Sequence, residues 1–383
     1  MRPFDPGQLK RLEDFSLTDL ESVWLILSGR SVIDWRRLNL ESEHDTRVLL
    51  GAQGFIPDDG GDRVRLEALR DDAVDYLRRQ FQFPIPKAVA QSSVPDLLLM
   101  ASARGHRQLC ACTILKAMHI IHHVQARELL FSLAMSDQDL FQLIEERVYR
   151  LVGHMLASGL PITEFVGGRK RRDAIYTKLL SKSDAHASAV YDKLRFRLVT
   201  RSRDDILPVL LFLSQHLFPF NYVVPGESIN TIFHFRSYCE EHPHLAALMG
   251  RAQGDGADVL LAGDNKFSAE SYRIMHFVVD LPVRVPESVL AAGSDALRRL
   301  GPVVFGLCEF QVVDADTEEA NERGDAAHDQ YKLRQREAVM SRLKLGIEGK
   351  PRGAKRRPAR NKATTGKSAT ARRAVKSEPR DED

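Results

Sequence analysis

The sequence has little of what marks secreted and membrane proteins. It contains four cysteines in 383 residues, Cys110, Cys112, Cys239 and Cys308, which are too few for a disulfide framework and fit free thiols in a reducing compartment. No apolar run reaches the roughly 18 residues that a membrane span needs, and the N-terminal residues lack the apolar core of a signal peptide. We therefore expect a cytoplasmic protein without membrane contact.

The C-terminal segment, residues 350–383, has no aromatic side chain and a single valine. Such a segment cannot bury enough apolar surface to offset the entropy of ordering, so we expect disorder over 347–383. These 34 residues hold 12 Lys and Arg against 4 Asp and Glu, although the net charge of the chain is only +3. The basic tail either contacts nucleic acid nonspecifically through residues 350–380 or only keeps the chain in solution.

Helical periodicity dominates residues 1–160. Apolar residues at helical spacing predict helices over 66–81, 95–104 and 107–134. Ser136 precedes an acidic first turn and a further periodic run, and Thr18 and Glu21 have the spacing of a capping box. We predict an all-helical N-terminal domain over 1–160.

Three histidines on one of these predicted helices raise the question of a metal site. His119 and His123 share a helix face, as two metal ligands would, and His122 lies beside them. Cys110 and Cys112 point about 200° apart on a helix, and no second ligand pair follows at the spacing of a zinc site. Partly buried histidines inside a helical bundle are the more common arrangement.

Beyond Pro161, segments with strand and helix patterns alternate. Clusters of β-branched and aromatic residues predict strands at 188–200, 222–224, 231–235, 272–284 and 302–313. Ser202 and Asp205 open a helix between the first two strands, and a final helix covers about 316–345. The order β-α-β-β-β-β-α predicts an α+β domain over 161–346, with a mixed β-sheet flanked by helices.

Two carboxylates fall inside these predicted strands. Asp192 lies early in the first strand, and Glu309 lies in the middle of the apolar run VVFGLCEFQVV. A charged side chain in such a run is destabilising unless a cation, a proton or hydrogen bonds compensate it. Two acids on neighbouring strands could hold Mg²⁺ against the phosphates of a nucleotide. Alternatively, Glu309 faces solvent on an open side of the sheet.

The segment 309–332, EFQVVDADTEEANERGDAAHDQYK, resembles the RelA/SpoT signature E-x-Q-I-R-T, A-E-x-G and A-A-H-x-x-Y-K. The residues at the family's spacing are Glu309, Gln311, Glu322, Gly324, Ala326, Ala327, His328, Tyr331 and Lys332. Agreement at nine spaced positions is unlikely to arise by chance. This part of the chain is therefore similar to the RelA/SpoT family of ppGpp synthetases.

Upstream segments extend the resemblance to about residues 165–335. The segment GRKRRDAIYTKL resembles the family's R-x-K-x-x-x-S-x-x-x-K helix, and PGESINTIFH resembles its PK-x-NGY-x-S-x-H loop. Asp192 and Arg197 match the family's D-x-x-x-x-R. The other matching positions are Lys170, Lys178, Pro225 and His234.

The resemblance implies a nucleotidyltransferase-like domain that moves pyrophosphate from ATP to the 3′-hydroxyl of GDP or GTP, making ppGpp or pppGpp. Some toxin-like relatives act instead on the 3′ end of tRNA. By position, Asp192 and Glu309 are the catalytic residues and hold Mg²⁺. The residues that bind ATP or the acceptor are then Lys170, Lys178, Arg197, His234 and Gln311. The implied architecture is a stand-alone small synthetase preceded by a helical domain.

The sequence departs from the family pattern mainly where the family binds the acceptor. The replaced positions are Gly168, Ala174, Gly226, Ile229, Asn230, Ile232 and Val313. Asn230 stands where the family stacks guanine on a tyrosine. The missing ring weakens base binding by about 1–3 kcal/mol unless Phe233 or Tyr222 replaces it. Three hypotheses stay open: an active, diverged pyrophosphotransferase, a catalytically inactive nucleotide sensor, and an RNA- or DNA-associated protein that keeps the fold.

Overall fold

The structure is a computed structural model that describes residues 10–28, 38, 40–103, 105–181, 193–232, 234–250, 271–323 and 328–347. The chain divides into two units, Met1–Val339 and Met340–Asp383, and the described part of the second unit, 340–347, is helical. Residues 348–383 of the predicted basic tail lie outside the described residues. None of the described helices is both long enough and apolar enough to cross a membrane.

In the described part of the chain before the sheet, all regular secondary structure is helical. Its α-helices are α1 (Leu17–Ser28), α2 (Glu43–Ala52), α3 (Gly60–Phe81), α4 (Lys87–Ala90), α5 (Val94–Ser102), α6 (His106–Ser132) and α7 (Asp137–Ala157), and Leu12–Asp14 form a 3₁₀ turn. The three predicted helices are confirmed as α3, α5 and α6. Ser136 caps α7 in a capping box with Asp139, as its position in the sequence predicts.

The capping box before α1 is formed by a different pair from the predicted one. Ser16 donates its backbone N–H (2.8 Å) and its hydroxyl (2.6 Å) to the Asp19 carboxylate, and the Asp19 N–H donates back to the Ser16 hydroxyl. The prediction of Thr18 and Glu21 was therefore wrong by two residues. Both pairs have the required spacing, and the helix start at Leu17 selects Ser16.

One mixed five-stranded sheet follows. The remaining elements are β1 (Ile162–Arg169), α8 (Arg172–Ser181), β2 (Leu194–Thr200), α9 (Ile206–His216), β3 (Ile229–Asn230), α10 (Phe235–Glu241), α11 (Pro243–Met249), β4 (Met275–Arg284), α12 (Glu287–Ala291), α13 (Asp295–Arg299), β5 (Val303–Asp314), α14 (Ala315–Asn321) and α15 (His328–Ile347). The strand order is β1-β2-β5-β4-β3, with β2 and β5 parallel and the other pairs antiparallel. The α+β class with a mixed sheet is confirmed.

Several predicted elements need correction. The edge strand β1 was missed because most of its residues are exposed and two are glycines, so its pattern carries little apolar alternation. The strand predicted at 222–224 is a 3₁₀ turn over Phe220–Tyr222 followed by an isolated bridge at Val223. The strand predicted at 231–235 was wrong, because the two-residue β3 ends at Asn230 and Phe235 begins α10. The single helix predicted over 316–345 is two helices, α14 and α15.

Two of the three inner strands, β4 and β5, are buried over most of their length, and Phe310 of β5 marks the centre of one face. Its ring centroid lies 5.4 Å from that of Phe196, 5.2 Å from Phe218 and 5.8 Å from Phe277. Helix α7 packs on the same face, where Gly306 lies against Ile144 and Leu140. This apolar face anchors the strands that carry the candidate site on the opposite face.

Gly306 is needed for this close approach of α7. A Cβ at residue 306 would collide with Ile144 Cδ1 and lie 3.2 Å from Leu140 Cδ2. We expect Gly306→Ala to lower the free energy of unfolding by about 1–3 kcal/mol, measured by urea unfolding, because this core is already filled. Gly153→Ala on α7 is the control: it has open space around it and should be neutral or slightly stabilising. Equal effects of the two substitutions would contradict this packing.

The helices before residue 161 and the sheet share one hydrophobic core. On the face opposite Phe310, His123 of α6 stacks on Phe305 of β5 with ring centroids 3.9 Å apart. A separate helical domain over 1–160 is not confirmed, and the boundary near residue 160 stays a prediction.

The three histidines of α6 lie among aromatic rings. His122 is 5% exposed and contacts Phe55 and Phe305, and His119 Nδ1 accepts a hydrogen bond of 3.2 Å from Asn221 Nδ2. Burial lowers the pKa of His119 to about 3 and that of His122 well below its usual value. His122 is buried and His119 and His123 are partly buried, which agrees with the more common of the two roles considered for them.

A neutral, partly buried His119 makes stability depend on pH. The unfolded histidine titrates near 6.5, so between about pH 6.5 and pH 3 the unfolded chain binds a proton that the folded chain does not. Stability should fall as the pH falls through this range, by about 2 kcal/mol from His119 between pH 7 and pH 5. Urea unfolding of His119→Gln should show a pH dependence smaller by that amount. An unchanged pH dependence would contradict the burial of a neutral ring.

Candidate functional site

A band of polar side chains crosses the centre of the sheet on the face opposite Phe310. Arg195 of β2 pairs in register with Glu309 of β5, and Arg197 pairs with Gln311. His276 of β4 pairs with Gln311 from the other side. Because side chains two residues apart on a strand share a face, these five residues form one surface. We call them the polar band.

Glu309 is the acid at the centre of the polar band. It is 7% exposed, so the alternative that it faces solvent is wrong. Its Oε1 accepts a hydrogen bond of 2.5 Å from Gln311 Nε2 and lies 3.6 Å from Arg195 Nε. A buried carboxylate of this kind is stabilised by the cation and the hydrogen bond beside it.

Arg197 is held from outside the sheet. Its Nη2 pairs with Glu318 of α14, and each of the two side chains is 20% exposed. Burial raises the pKa of Glu318, although Arg197 acts in the opposite direction. Helix α14 begins directly after β5 because Asp314 caps it, accepting from the Thr317 N–H at 3.0 Å and from its hydroxyl at 2.6 Å.

An apolar row bounds the polar band beyond Arg197 and Gln311. Val199, Val313 and Ile274 are buried together there, and Tyr272 packs against them half-buried. Burial raises the pKa of the Tyr272 hydroxyl, which lies within electrostatic range of Arg197 and the other charged groups of the site. The polar band is thus closed by an aromatic ring at this end and by α6 at the other.

The structure brings Arg197, Glu309 and Gln311 together, as the resemblance implies, and distributes the other predicted residues around them. Lys170 follows edge strand β1 and donates its backbone N–H to the Lys193 carbonyl at 2.8 Å. Lys178 is half-buried on α8. His234 is exposed before α10, beyond the opposite edge strand β3. Their roles stay predictions.

Asp192 lies outside the described residues, so its predicted place beside Glu309 is not tested. The sequence leaves a conflict, since strict alternation would put Asp192 and Arg197 on opposite faces of one strand. Within the described residues, β2 begins at Leu194.

The loop that departs from the family pattern turns its residue 230 inward. Asn230 is 2% exposed, and its Oδ1 accepts from the Ile232 N–H at 3.3 Å. Of the two proposed replacements for the family's tyrosine, Phe233 lies outside the described residues. Tyr222 is 3% exposed and meets the Phe305 ring edge-on at 5.4 Å. Tyr222 is therefore a core residue and cannot stack a base.

A Mg²⁺ ion would find some of its preferred ligands in the polar band. Within the described ranges, no three His, Cys, Asp or Glu side chains lie close enough to hold a metal by themselves. Gln311 Oε1, however, is buried and has no hydrogen-bond partner within the described part of the chain. This oxygen beside the Glu309 carboxylate fits Mg²⁺, which usually takes one or two protein oxygens together with phosphates and waters.

Sequence reasoning missed Arg195, His276 and Glu318. The alternation in LRFRLVT was a usable signal, because it puts Arg195 on the same face as Arg197. Nothing in the sequence indicated that Glu318, nine residues after Glu309, folds back onto Arg197. That contact depends on where β5 ends and α14 begins.

Comparisons with known proteins give structural matches only. No protein-family model matches the sequence, and no curated protein matches it either. Among solved structures, the chain is similar to small alarmone synthetase 1 from Bacillus subtilis, at 18% identity over 54% of this chain and 88% of that chain, with a TM-score of 0.29. That protein has also been solved bound to its product pppGpp and to AMPCPP.

Two further structures match over similar lengths. Small alarmone synthetase 2 from Bacillus subtilis is 15% identical over 55% of this chain and 97% of that chain, with a TM-score of 0.28. A GTP pyrophosphokinase family protein from Streptococcus pneumoniae is 14% identical over 54% and 85%, with a TM-score of 0.27.

Proposed function

We propose that this protein is a pyrophosphotransferase that moves pyrophosphate from ATP to the 3′-hydroxyl of a guanine nucleotide or of an RNA 3′ end. The observation that carries the proposal is the polar band. Glu309 and Gln311 are more than 100 residues from Arg197 in sequence, yet the register of β2 and β5 places all three side chains on one sheet face. Among the described strand residues, these same three match the RelA/SpoT motifs at the family's spacing.

The charges of the band suit this chemistry. Transfer of pyrophosphate needs cations that hold the donor phosphates and an acid that faces the attacking hydroxyl, while most of the catalysis comes from positioning and charge. Arg195 and Arg197 supply two guanidinium groups, which bind phosphate oxygens in parallel pairs of hydrogen bonds. Glu309 would hold Mg²⁺ or help to deprotonate the acceptor hydroxyl. Lys170 and Lys178 would contact the donor phosphates from the β1 edge.

Mg²⁺ would be held by Glu309, by Gln311 Oε1 and, if its predicted place is right, by Asp192. The ion would neutralise charge on the donor phosphates during transfer. The acceptor is the least constrained substrate, because Asn230 and Val313 replace a tyrosine and an arginine of the family motifs. A guanine nucleotide would be bound without the family's stacking ring, and an RNA 3′ end would gain affinity from basic residues outside the band.

The test is a transfer assay on the full chain. Purified protein is incubated with Mg²⁺ and ATP labelled in its terminal phosphates, with GDP, GTP or bulk tRNA as parallel acceptors. Label should move to one of these acceptors and should depend on Mg²⁺. ATP binding without transfer to any acceptor would favour the nucleotide-sensing alternative, and absence of both binding and transfer would contradict the proposal.

A further inference from the structure

The two arginines of the polar band differ in how their partner carboxylates are attached. Arg195 faces Glu309, which is fixed in the neighbouring strand and is itself part of the band. Arg197 faces Glu318, which belongs to α14 and reaches onto the sheet face from outside. The Glu318 carboxylate can leave its arginine by rotation of its own side chain without any change in the sheet.

Glu318 already takes up Nη2, one of the two Arg197 nitrogens that could bind a phosphate side by side. In a guanidinium group, Nε–H and one Nη–H point in parallel along one edge, and a phosphate or carboxylate can accept both. Glu318 accepts from Nη2, whereas Arg197 Nε is buried and has no hydrogen-bond partner among the described residues. A phosphate that accepts from both atoms would satisfy Nε and would compete with Glu318 for Nη2.

The Glu318 carboxylate is held weakly for an ion pair. Burial raises its pKa even though Arg197 lowers it, so the ionised form is less stable here than in water. Glu322 and Glu164 also lie in electrostatic range and act against the negative charge. An arriving phosphate, with more charge and more acceptor oxygens, can therefore compete with this carboxylate for Arg197.

Helix α14 itself is fixed at both ends. Asp314 caps its first turn, and Asn321 at its last turn accepts from the Arg273 N–H at 2.9 Å and donates to the Arg273 carbonyl at 2.6 Å. Release of Arg197 thus requires a change of the Glu318 side chain and no movement of the helix.

We propose that Glu318 is an internal competitor that occupies the phosphate position on Arg197 and lowers the affinity of the site for phosphate-bearing substrates. The inference rests on the proposed function to the extent that Arg197 contacts substrate phosphates. Glu318 would thus change the affinity for substrate but would take no part in the chemical step.

The experiment measures binding of inorganic pyrophosphate with Mg²⁺ to the full chain by isothermal titration calorimetry. Glu318→Gln keeps the size of the side chain and removes its charge, and should lower the Kd about three- to tenfold, the range expected when a half-buried ion pair no longer opposes binding. The matched control is Glu319→Gln on the same helix. Glu319 is exposed and pairs with Arg323, so this variant should bind within about twofold of wild type.

Two further variants show whether the gain acts through Arg197. In an Arg197→Gln background, Glu318→Gln should give no gain. Glu318→Asp shortens the side chain and should give an intermediate gain, which keeps the test available if the Gln variant does not fold. The inference would be overturned if both Glu318 variants bound pyrophosphate no more tightly than wild type. It would also be overturned if Glu319→Gln gave the same gain in affinity, or if the gain persisted without Arg197.

The outcome separates this inference from the proposed function. Tighter pyrophosphate binding in Glu318→Gln, with no transfer to any acceptor, would support the internal competitor and contradict the pyrophosphotransferase. Transfer by wild type, with no change in pyrophosphate binding in Glu318→Gln, would support the pyrophosphotransferase and contradict the internal competitor.

Discussion

Replacing Glu309 with glutamine is expected to lower kcat for pyrophosphate transfer about 10²- to 10⁴-fold, with a smaller change in KM for ATP. Glutamine keeps the size of the side chain and an oxygen at Oε1 that can accept from Gln311 and lie near Arg195. The substitution removes the negative charge that faces the acceptor hydroxyl and Mg²⁺ in the proposed site. The loss should therefore appear in the chemical step, measured as the rate of label transfer at saturating ATP.

Glu319→Gln is the control for this loss. It removes the same charge from an exposed position of α14, where Glu319 pairs with Arg323, and should leave kcat within about twofold. Both variants should retain the melting temperature of wild type. A Glu309→Gln protein that is folded and transfers label at the wild-type rate would remove Glu309 from the catalytic residues.

Replacing Arg147 with methionine is expected to lower the free energy of unfolding by about 3–5 kcal/mol, the largest stability effect we predict. Arg147 of α7 donates to the carbonyl oxygens of Pro282 (2.5 Å), Ala52 (2.8 Å) and Leu217 (2.9 Å). These acceptors lie in β4, at the end of α2 and at the end of α9. Methionine fills similar space but leaves buried carbonyls without a donor.

The charge of Arg147 persists at neutral pH. Burial lowers its pKa to about 10, which is still well above 7, so the guanidinium stays protonated. Urea unfolding at pH 7 measures the loss, and Arg150→Met on the exposed side of the same helix should cost less than about 0.5 kcal/mol. A loss below about 1 kcal/mol for Arg147→Met would show that these carbonyls find other donors or water.

An element of this fold could be predicted when its own apolar pattern stabilises it, and could not when contacts with distant parts of the chain do. Helices α3, α5 and α6 bury one face along many turns, so their spacing in the sequence is enough to locate them. β1 is held by its pairing with β2 and has little apolar pattern of its own, so no local signal indicates it. The same holds for the two-residue β3.

In the candidate site, too, some residues have a signal in the sequence and others depend on contacts between distant elements. Glu309 and Gln311 could be found from their motif spacing, and Arg195 could have been found from strand alternation next to Arg197. The ion pair of Arg197 with Glu318 could not, because it depends on the break between β5 and α14 that Asp314 creates by capping the helix. The burial of Tyr222 was equally hidden, since it depends on packing against Phe305 and α6 rather than on neighbours in sequence.

In the proposed reaction, both terminal phosphates of ATP move together onto an acceptor. The most direct measurement uses wild-type protein with two ATP samples, one labelled in the β-phosphate and one in the γ-phosphate, with the acceptor that works best in the transfer assay. The proposed reaction predicts that both labels reach the acceptor in equal amounts and that AMP is released in the same amount. Transfer of the γ-label alone with release of ADP, or of neither label, would contradict it.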